Sequence, residues 1–171
     1  MSTSEQLEEF RKTIKKQRSP LPRAEKWENL VLHKEDVQWY KPEGTNPSLM
    51  GPILGIPIKT FELFLQEIAP GGTSDMQQHH HEAVHFVISG NGYSELGDES
   101  YQWGQGDFIS VPPMVWHRHY NASETEPVQM LLIENSKLLE FLGLNYRVSA
   151  GFLNYAELKE SFVEPPPSHG H

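Results

Sequence analysis

The chain of 171 residues contains no cysteine. That absence excludes disulfide frameworks, zinc ribbons, iron–sulfur clusters and cysteine-nucleophile catalysis. It leaves the redox compartment open but argues against a secreted disulfide scaffold. Positive charge is also scarce: 14 Lys and Arg stand against 23 Asp and Glu, a net charge of −9. A surface of that sign suits neither nucleic acid nor an anionic membrane. No apolar run approaches the ~20 residues of a membrane span. The first residues, Met1 to Phe10, are polar and lack the apolar centre of a secretion signal. The expectation is a soluble cytoplasmic protein of one compact domain, since the length is short for two.

What the chain does have is turns and histidine. Thirteen Gly and thirteen Pro point to a β-rich fold. Six of the nine histidines fall between His79 and His119, where an even spread would put about two. The function is to be sought in that cluster.

Residues 4–18 read as an amphipathic helix, with Leu7, Phe10 and Ile14 on one face, stopped by Pro20 and Pro22. Such a helix covers a neighbouring surface or makes an oligomer contact. Residues 25–58 read as an irregular arm wrapped on the main body. From Thr60 the period changes to two: Phe61, Leu63 and Leu65 alternate with Glu62, Phe64 and Gln66. Strands are then expected at 84–89, 93–96, 100–103, 108–111, 115–120 and 128–134, separated by Gly-rich turns. Short strands about ten residues apart indicate a β-sandwich or barrel. Short helices are expected at 136–144 and 154–162. The domain layout is an arm (1–58), a barrel core (59–135), C-terminal helices (136–163) and a flexible tail (164–171).

On a strand, residues an even number apart share a face. His79, His81 and His85 meet that condition, and so do His117 and His119. Two such strands side by side would gather imidazoles in a barrel interior. Fe(II), Mn(II), Ni(II), Cu(II) and Zn(II) all accept imidazole nitrogens. The competing reading of Gln77–Glu82 is a polar surface loop that happens to be rich in histidine. His80, on the other parity, is expected to be exposed. Trp103 and Trp116 are expected in the core or at its rim, and Asn121 in a turn. His169 and His171 are assigned no function.

The segment Gly106-Asp-Phe-Ile-Ser-Val-Pro112-Pro-Met-Val-Trp-His117-Arg-His-Tyr-Asn121 resembles the second motif of the cupin superfamily. The spacing is Gly, five residues, Pro, a His five further on and an Asn four after that. Met114 stands where the family usually has glycine. Residues 72–92 resemble the first motif, and the resemblance spans about residues 60–135. It implies an all-β fold, a cupin-type antiparallel jelly-roll barrel, to which the flanking segments add the N-terminal helical arm and short C-terminal helices. It implies metal ligation by His79, His81 and His117, with His85 a fourth ligand or a pocket group one step deeper.

Two registers of the first motif are open. If Gly92 closes it, the ligands are His79, His81 and His85, with His85 in place of the family Glu. If Gly90 closes it, the two family His positions fall on Gln77 and His79 and the Glu position on Ala83. His79 and His117 belong to the site in both. No carboxylate of matching parity lies between residues 81 and 89, and a set of imidazoles alone would favour anionic substrates.

The stretch 111–121 and Glu82-Ala-Val-His-Phe-Val-Ile-Ser-Gly90 are similar to gentisate-type ring-cleaving dioxygenases. That likeness implies Fe(II), O₂ chemistry and a small aromatic or enolisable substrate, with His119 either the catalytic substrate contact or a packed core histidine. Those enzymes usually carry two cupin domains, and this chain has one. Two other readings stay open: a non-catalytic small-ligand or sensor cupin, and a metal-assisted isomerase or lyase. The expected partners are a small-molecule substrate and a second copy in a homodimer, because apolar strand edges need cover.

Overall fold

The computed structural model describes residues 3–17, 27–41 and 47–161. Ten strands run in chain order: β1 (Leu49–Pro52), β2 (Glu62–Ile68), β3 (Met76–His79), β4 (Ala83–Ser89), β5 (Asn91–Leu96), β6 (Glu99–Gly104), β7 (Phe108–Val111), β8 (His117–Asn121), β9 (Val128–Glu134) and β10 (Arg147–Gly151). Among the described residues the α-helices are α1 (Thr3–Gln17), α2 (Ser136–Phe141) and α3 (Tyr155–Ser161), with a short 3-10 turn at Lys34–Asp36. The strands form two five-stranded antiparallel sheets, ordered β1-β2-β9-β4-β7 and β10-β3-β8-β5-β6. The strand spacing pointed to a sandwich or barrel, and the two sheets form the jelly-roll that the motif resemblance implied.

The core lies between the sheets. Ile68, Val87, Trp103, Ile109, Val128, Met130 and Leu132 form one buried cluster, with Met50 and Phe64 packed against it. On β9 the inward row is Val128, Met130, Leu132 and Glu134, all buried. On β2 the row that turns inward is Phe64, Gln66 and Ile68. Leu63 and Leu65 lie on its other face, half-covered. Gln66 is tolerated inside because its amide donates to Ser48 Oγ at 2.8 Å.

Three strands, β1, β3 and β10, lie where the alternation marked none. β1 falls within the supposedly irregular arm, because pairing along β2 supplies the bonds its short Gly-Pro sequence does not advertise. β10 pairs with β3 across a bulge, between the two C-terminal helices. Helix α1 forms, but Leu7 and Phe10 of its apolar stripe are 49% and 62% exposed. Pro20, Pro22 and the 164–171 tail lie outside the described residues.

Gly92 carries a steric requirement. A Cβ there would stand 2.0 Å from the Tyr120 carbonyl oxygen and 2.5 Å from the Trp103 ring. Its absence lets the indole close over β5 and β8. Gly90 has φ +87°, so the bend between β4 and β5 needs a glycine too. Each glycine has its own structural reason, and neither selects a motif register.

Candidate metal centre

The second sheet positions most of the histidines. β5 pairs with β8 so that Leu96 is opposite His117, Ser94 opposite His119 and Gly92 opposite Asn121. β3 meets β8 at Gln77 opposite His117. Gln77 and His79 are therefore successive inward positions of β3, and His81 lies past its end, in the turn to β4. His85 comes from the other sheet, on β4, between Leu132 and Ile109. His79, His81, His85, His117 and His119 are each at most 2% exposed.

Two groups result. His79 stacks on His81 with ring centroids 3.6 Å apart, and meets His117 edge-on at 4.7 Å. Deeper in the barrel, His85 meets His119 at 4.7 Å, and His117 is 5.8 Å from His119. His80 is outside, exposed, with Nδ1 2.9 Å from the Leu144 carbonyl.

Hydrogen-bond partners fix which ring nitrogen carries the proton. Nδ1 of His79 lies 2.8 Å from the His81 carbonyl, and Nδ1 of His117 lies 2.9 Å from the Val115 carbonyl. A carbonyl only accepts, so both Nδ1 atoms donate and both Nε2 atoms keep a lone pair. His119 is built the other way. Trp103 Nε1 donates to Ser94 Oγ at 2.7 Å, and that oxygen lies 2.7 Å from His119 Nδ1. Ser94 is fully buried, so its own hydroxyl hydrogen needs an acceptor, and His119 Nδ1 is the one at hand. His119 then carries its proton on Nε2.

Burial favours the neutral rings. Desolvation, then the nearby His117 and His81, lowers His79 from 6.5 to about 3. Desolvation, then His119, lowers His117 to about 3. Desolvation followed by His79 lowers His119 to about 4. His85 is lowered well below its usual value, again by burial first and His119 second.

The donor set suits a divalent cation. Nε2 of His117, Nδ1 of His85 and Oε1 of Gln77 are buried without a hydrogen-bond partner. An unpartnered buried polar atom costs about 1–3 kcal/mol, and a bound ion removes that cost for the lone pairs. Among the described residues no three His, Asp or Glu side chains already converge on one point. The stack of His79 on His81 explains this, since it brings ring faces together and not nitrogen lone pairs.

Glu134 was not among the sequence candidates. Its Oε2 lies 3.2 Å from His81 Nε2, and the residue is 8% exposed. The signal was the parity of β9, on which Glu134 continues the inward row of Val128, Met130 and Leu132. Ser94 and Asn145 were missed as well. Both act through histidines, Ser94 from β5 and Asn145 from the loop before β10.

A cleft of about 600 Å³ opens between β6 and β7, lined by Leu96, Tyr101, Trp103, Phe108, Ile109 and Val115 among others. No histidine lines it. Leu96, in its lining, is the cross-strand partner of His117.

Residues 64–134 match the family model of the cupin domain. The barrel is a cupin. The chain is 32% identical over 123 residues to the 1-hydroxy-2-naphthoate 1,2-dioxygenase of Nocardioides sp., covering 72% of this chain and 30% of that protein. It thus spans less than a third of that dioxygenase. It is also 28% identical over 108 residues to the 1-methylthio-D-xylulose 5-phosphate methylsulfurylase of Rhodospirillum rubrum, covering 60% of this chain and 67% of that protein. Among solved structures, a mutant salicylate 1,2-dioxygenase from Pseudoaminobacter salicylatoxidans superposes with a TM-score of 0.54 at 17% identity, covering 60% of this chain and 31% of that one. At that identity the likeness is one of fold. Among the described residues, no helix of this cupin is long and apolar enough to cross a membrane.

Proposed function

We propose that this cupin is a metal-dependent oxygenase of the ring-cleaving dioxygenase type, acting on a small aromatic or enolisable anion. The observation that carries the reading is the matched pair His79 and His117. Both are buried rings with Nδ1 tied to a backbone carbonyl, which leaves the lone pair on Nε2. The likeness to the naphthoate dioxygenase supports the reaction class.

His79, His81 and His117 hold the ion in this reading, with His85 as a fourth ligand or a group just below it. Fe(II) is the ion the likeness favours, and it supplies the redox partner for O₂ and a positive charge for an anionic substrate. His119 holds an Nε2–H for a substrate oxygen, and Ser94 with Trp103 keeps it there. The apolar cleft beside Leu96 admits a planar ring, and the buried interior excludes water. The same reading has the protein working as a cytoplasmic homodimer, with helix α1, whose Leu7 and Phe10 are exposed, as a contact with the neighbour.

The test loads the protein with Fe(II) without air, counts iron per chain, and measures O₂ uptake with a panel of phenolic acids. One iron per chain and substrate-dependent uptake are expected. Stoichiometric iron with no uptake on any phenolic acid would remove the oxygenase assignment. A second reading, a metal-assisted isomerase or lyase, is favoured by the methylsulfurylase, of which the chain covers two thirds. Turnover of a sugar-phosphate thioether under strict exclusion of O₂ would select it.

A further inference from the structure

His81 presents a mismatch that identifies one more ligand, and the argument rests on the metal-binding reading above. Both of its ring nitrogens face oxygen. Nδ1 lies 3.3 Å from Asn145 Oδ1, and Asn145 Nδ2 donates to Glu140 Oε2 at 3.2 Å, which fixes the orientation of the amide. Oδ1 is thus an acceptor, and the proton of a neutral His81 sits on Nδ1. Nε2 then carries a lone pair, yet it stands 3.2 Å from the Glu134 carboxylate. Two electron-rich atoms do not stay at that separation in a buried site unless a positive charge lies near both.

The positive charge is not simply a proton. A protonated His81 would aim its N–H at the carboxylate, but Nε2 makes no hydrogen bond, so Oε2 lies off the axis of the ring nitrogen. That offset is what two neighbouring ligands of one ion show. With ligand distances near ~2.1 Å and a right angle between them, the two donors stand about 3.0 Å apart, each off the lone-pair axis of the other.

We infer that Glu134 is a metal ligand beside His81, so that the carboxylate of this site comes from β9 and not from the first motif. The strand pairing accounts for the exchange. Ala83 is directly opposite Glu134 in the β4–β9 register. A methyl group at residue 83 leaves room for the carboxylate of the facing strand to enter the site. The turn that carries His81 is tied to the residue after Glu134. Glu82 N donates to Asn135 Oδ1 at 2.9 Å, and Asn135 N donates to the Glu82 carbonyl at 3.2 Å. These bonds hold His81 and Glu134 face to face. The site then has an anionic ligand that the first-motif segment alone does not supply.

The test uses the full chain and Co(II), whose absorption spectrum reports coordination. Glu134→Gln keeps the shape and lets the amide donate to the bare His81 Nε2, so the metal-free fold is expected to survive. Its Co(II) affinity, measured by chelator competition, should fall at least ten-fold, with a changed visible spectrum. His117→Ala is the control for the site itself and should nearly abolish binding. If His117→Ala abolishes binding while Glu134→Gln and Glu134→Ala keep wild-type affinity and spectrum, the Glu134 assignment is overturned and the metal reading stands. If the wild type binds no Co(II), both fall. A crystal of the wild type with Co(II) decides independently of any variant: a Glu134 oxygen at about 2.0–2.2 Å is expected, and its absence overturns the inference.

Discussion

The hydroxyl of Ser94 lies between the indole of Trp103 and the imidazole of His119, 2.7 Å from each nitrogen. Trp103 only donates, so the hydroxyl hydrogen is directed to His119 Nδ1 and the proton of that ring is placed on Nε2. Ser94→Ala should leave the Trp103 N–H without an acceptor and cost about 1–3 kcal/mol of stability. It should also release the tautomer of His119. Nitrogen NMR of labelled histidine checks this: the wild type should show Nε2 protonated, and the variant a mixture. A wild-type ring protonated at Nδ1 would refute the assignment.

His117 and His80 should respond differently to truncation. His117 is fully buried with its Nε2 unpartnered. His80 is exposed, bonded to the Leu144 carbonyl and 5.3 Å from the Tyr146 ring. His117→Ala should sharply lower metal content by elemental analysis. His80→Ala should retain it and only loosen the segment around Tyr146. Equal loss from both would show that the two histidines do not face opposite sides of the β3 end.

Stability of the metal-free protein should fall on the acid side. His79 and His117 are lowered to about 3 and His119 to about 4 by burial first and neighbouring histidines second. The unfolded chain takes up these protons near 6.5, so between there and 3–4 it binds more protons than the native state. Stability is then complete above about pH 6.5 and is lost as pH falls toward 3–4, at up to ~1.4 kcal/mol per pH unit for each histidine. Urea midpoints from pH 7.5 to 5 measure it. The slope should decrease in His119→Phe, and a flat profile in the wild type would contradict the burial argument. Metal binding should weaken in the same direction, because only neutral imidazole binds.

Much of this fold was legible because one face of each strand is apolar. β7 and β9 fall at the limits expected from turn residues and alternation, and β4 starts one residue early. β1, β3 and β10 were not marked by such a pattern. They owe their place to partners: β2 for the first, and β8 and each other for the rest. The histidines were found because residue type and parity are visible along one strand. Glu134 was not, because its relation to Ala83 is a register between strands 51 positions apart in sequence. Parity also misled at His81, which lies in a turn, where alternation does not hold. Asn121 acts as expected, tying down its turn through bonds to Ile68, Ala69, Ser123 and Glu126.

Met114 is the position at which the chain departs from the glycine usual in the second motif, and its φ is +62°. The backbone has kept the glycine conformation although the residue has changed. An L-residue in that region costs about 1–2 kcal/mol. The turn tolerates the strain because bonds hold it at both ends: Met114 N donates to the His79 carbonyl at 2.8 Å, and Gln78 Nε2 donates to the Met114 carbonyl at 2.6 Å. These bonds join the β7–β8 turn to the end of β3, and so fix His79 relative to His117. The side chain is 44% exposed, so little packing is lost on its removal. Met114→Gly should relieve the strain, less about 0.5–1 kcal/mol for the extra freedom of glycine in the unfolded chain. A net gain of roughly 0.5–1 kcal/mol corresponds to a rise of about 1–4 °C in Tm for a chain of this size. Met114→Ala keeps the strained φ and loses the thioether, so it should lower Tm. Calorimetry on the two variants separates the effects: a gain in Ala equal to that in Gly would mean that the thioether, and not the backbone, was the source of strain.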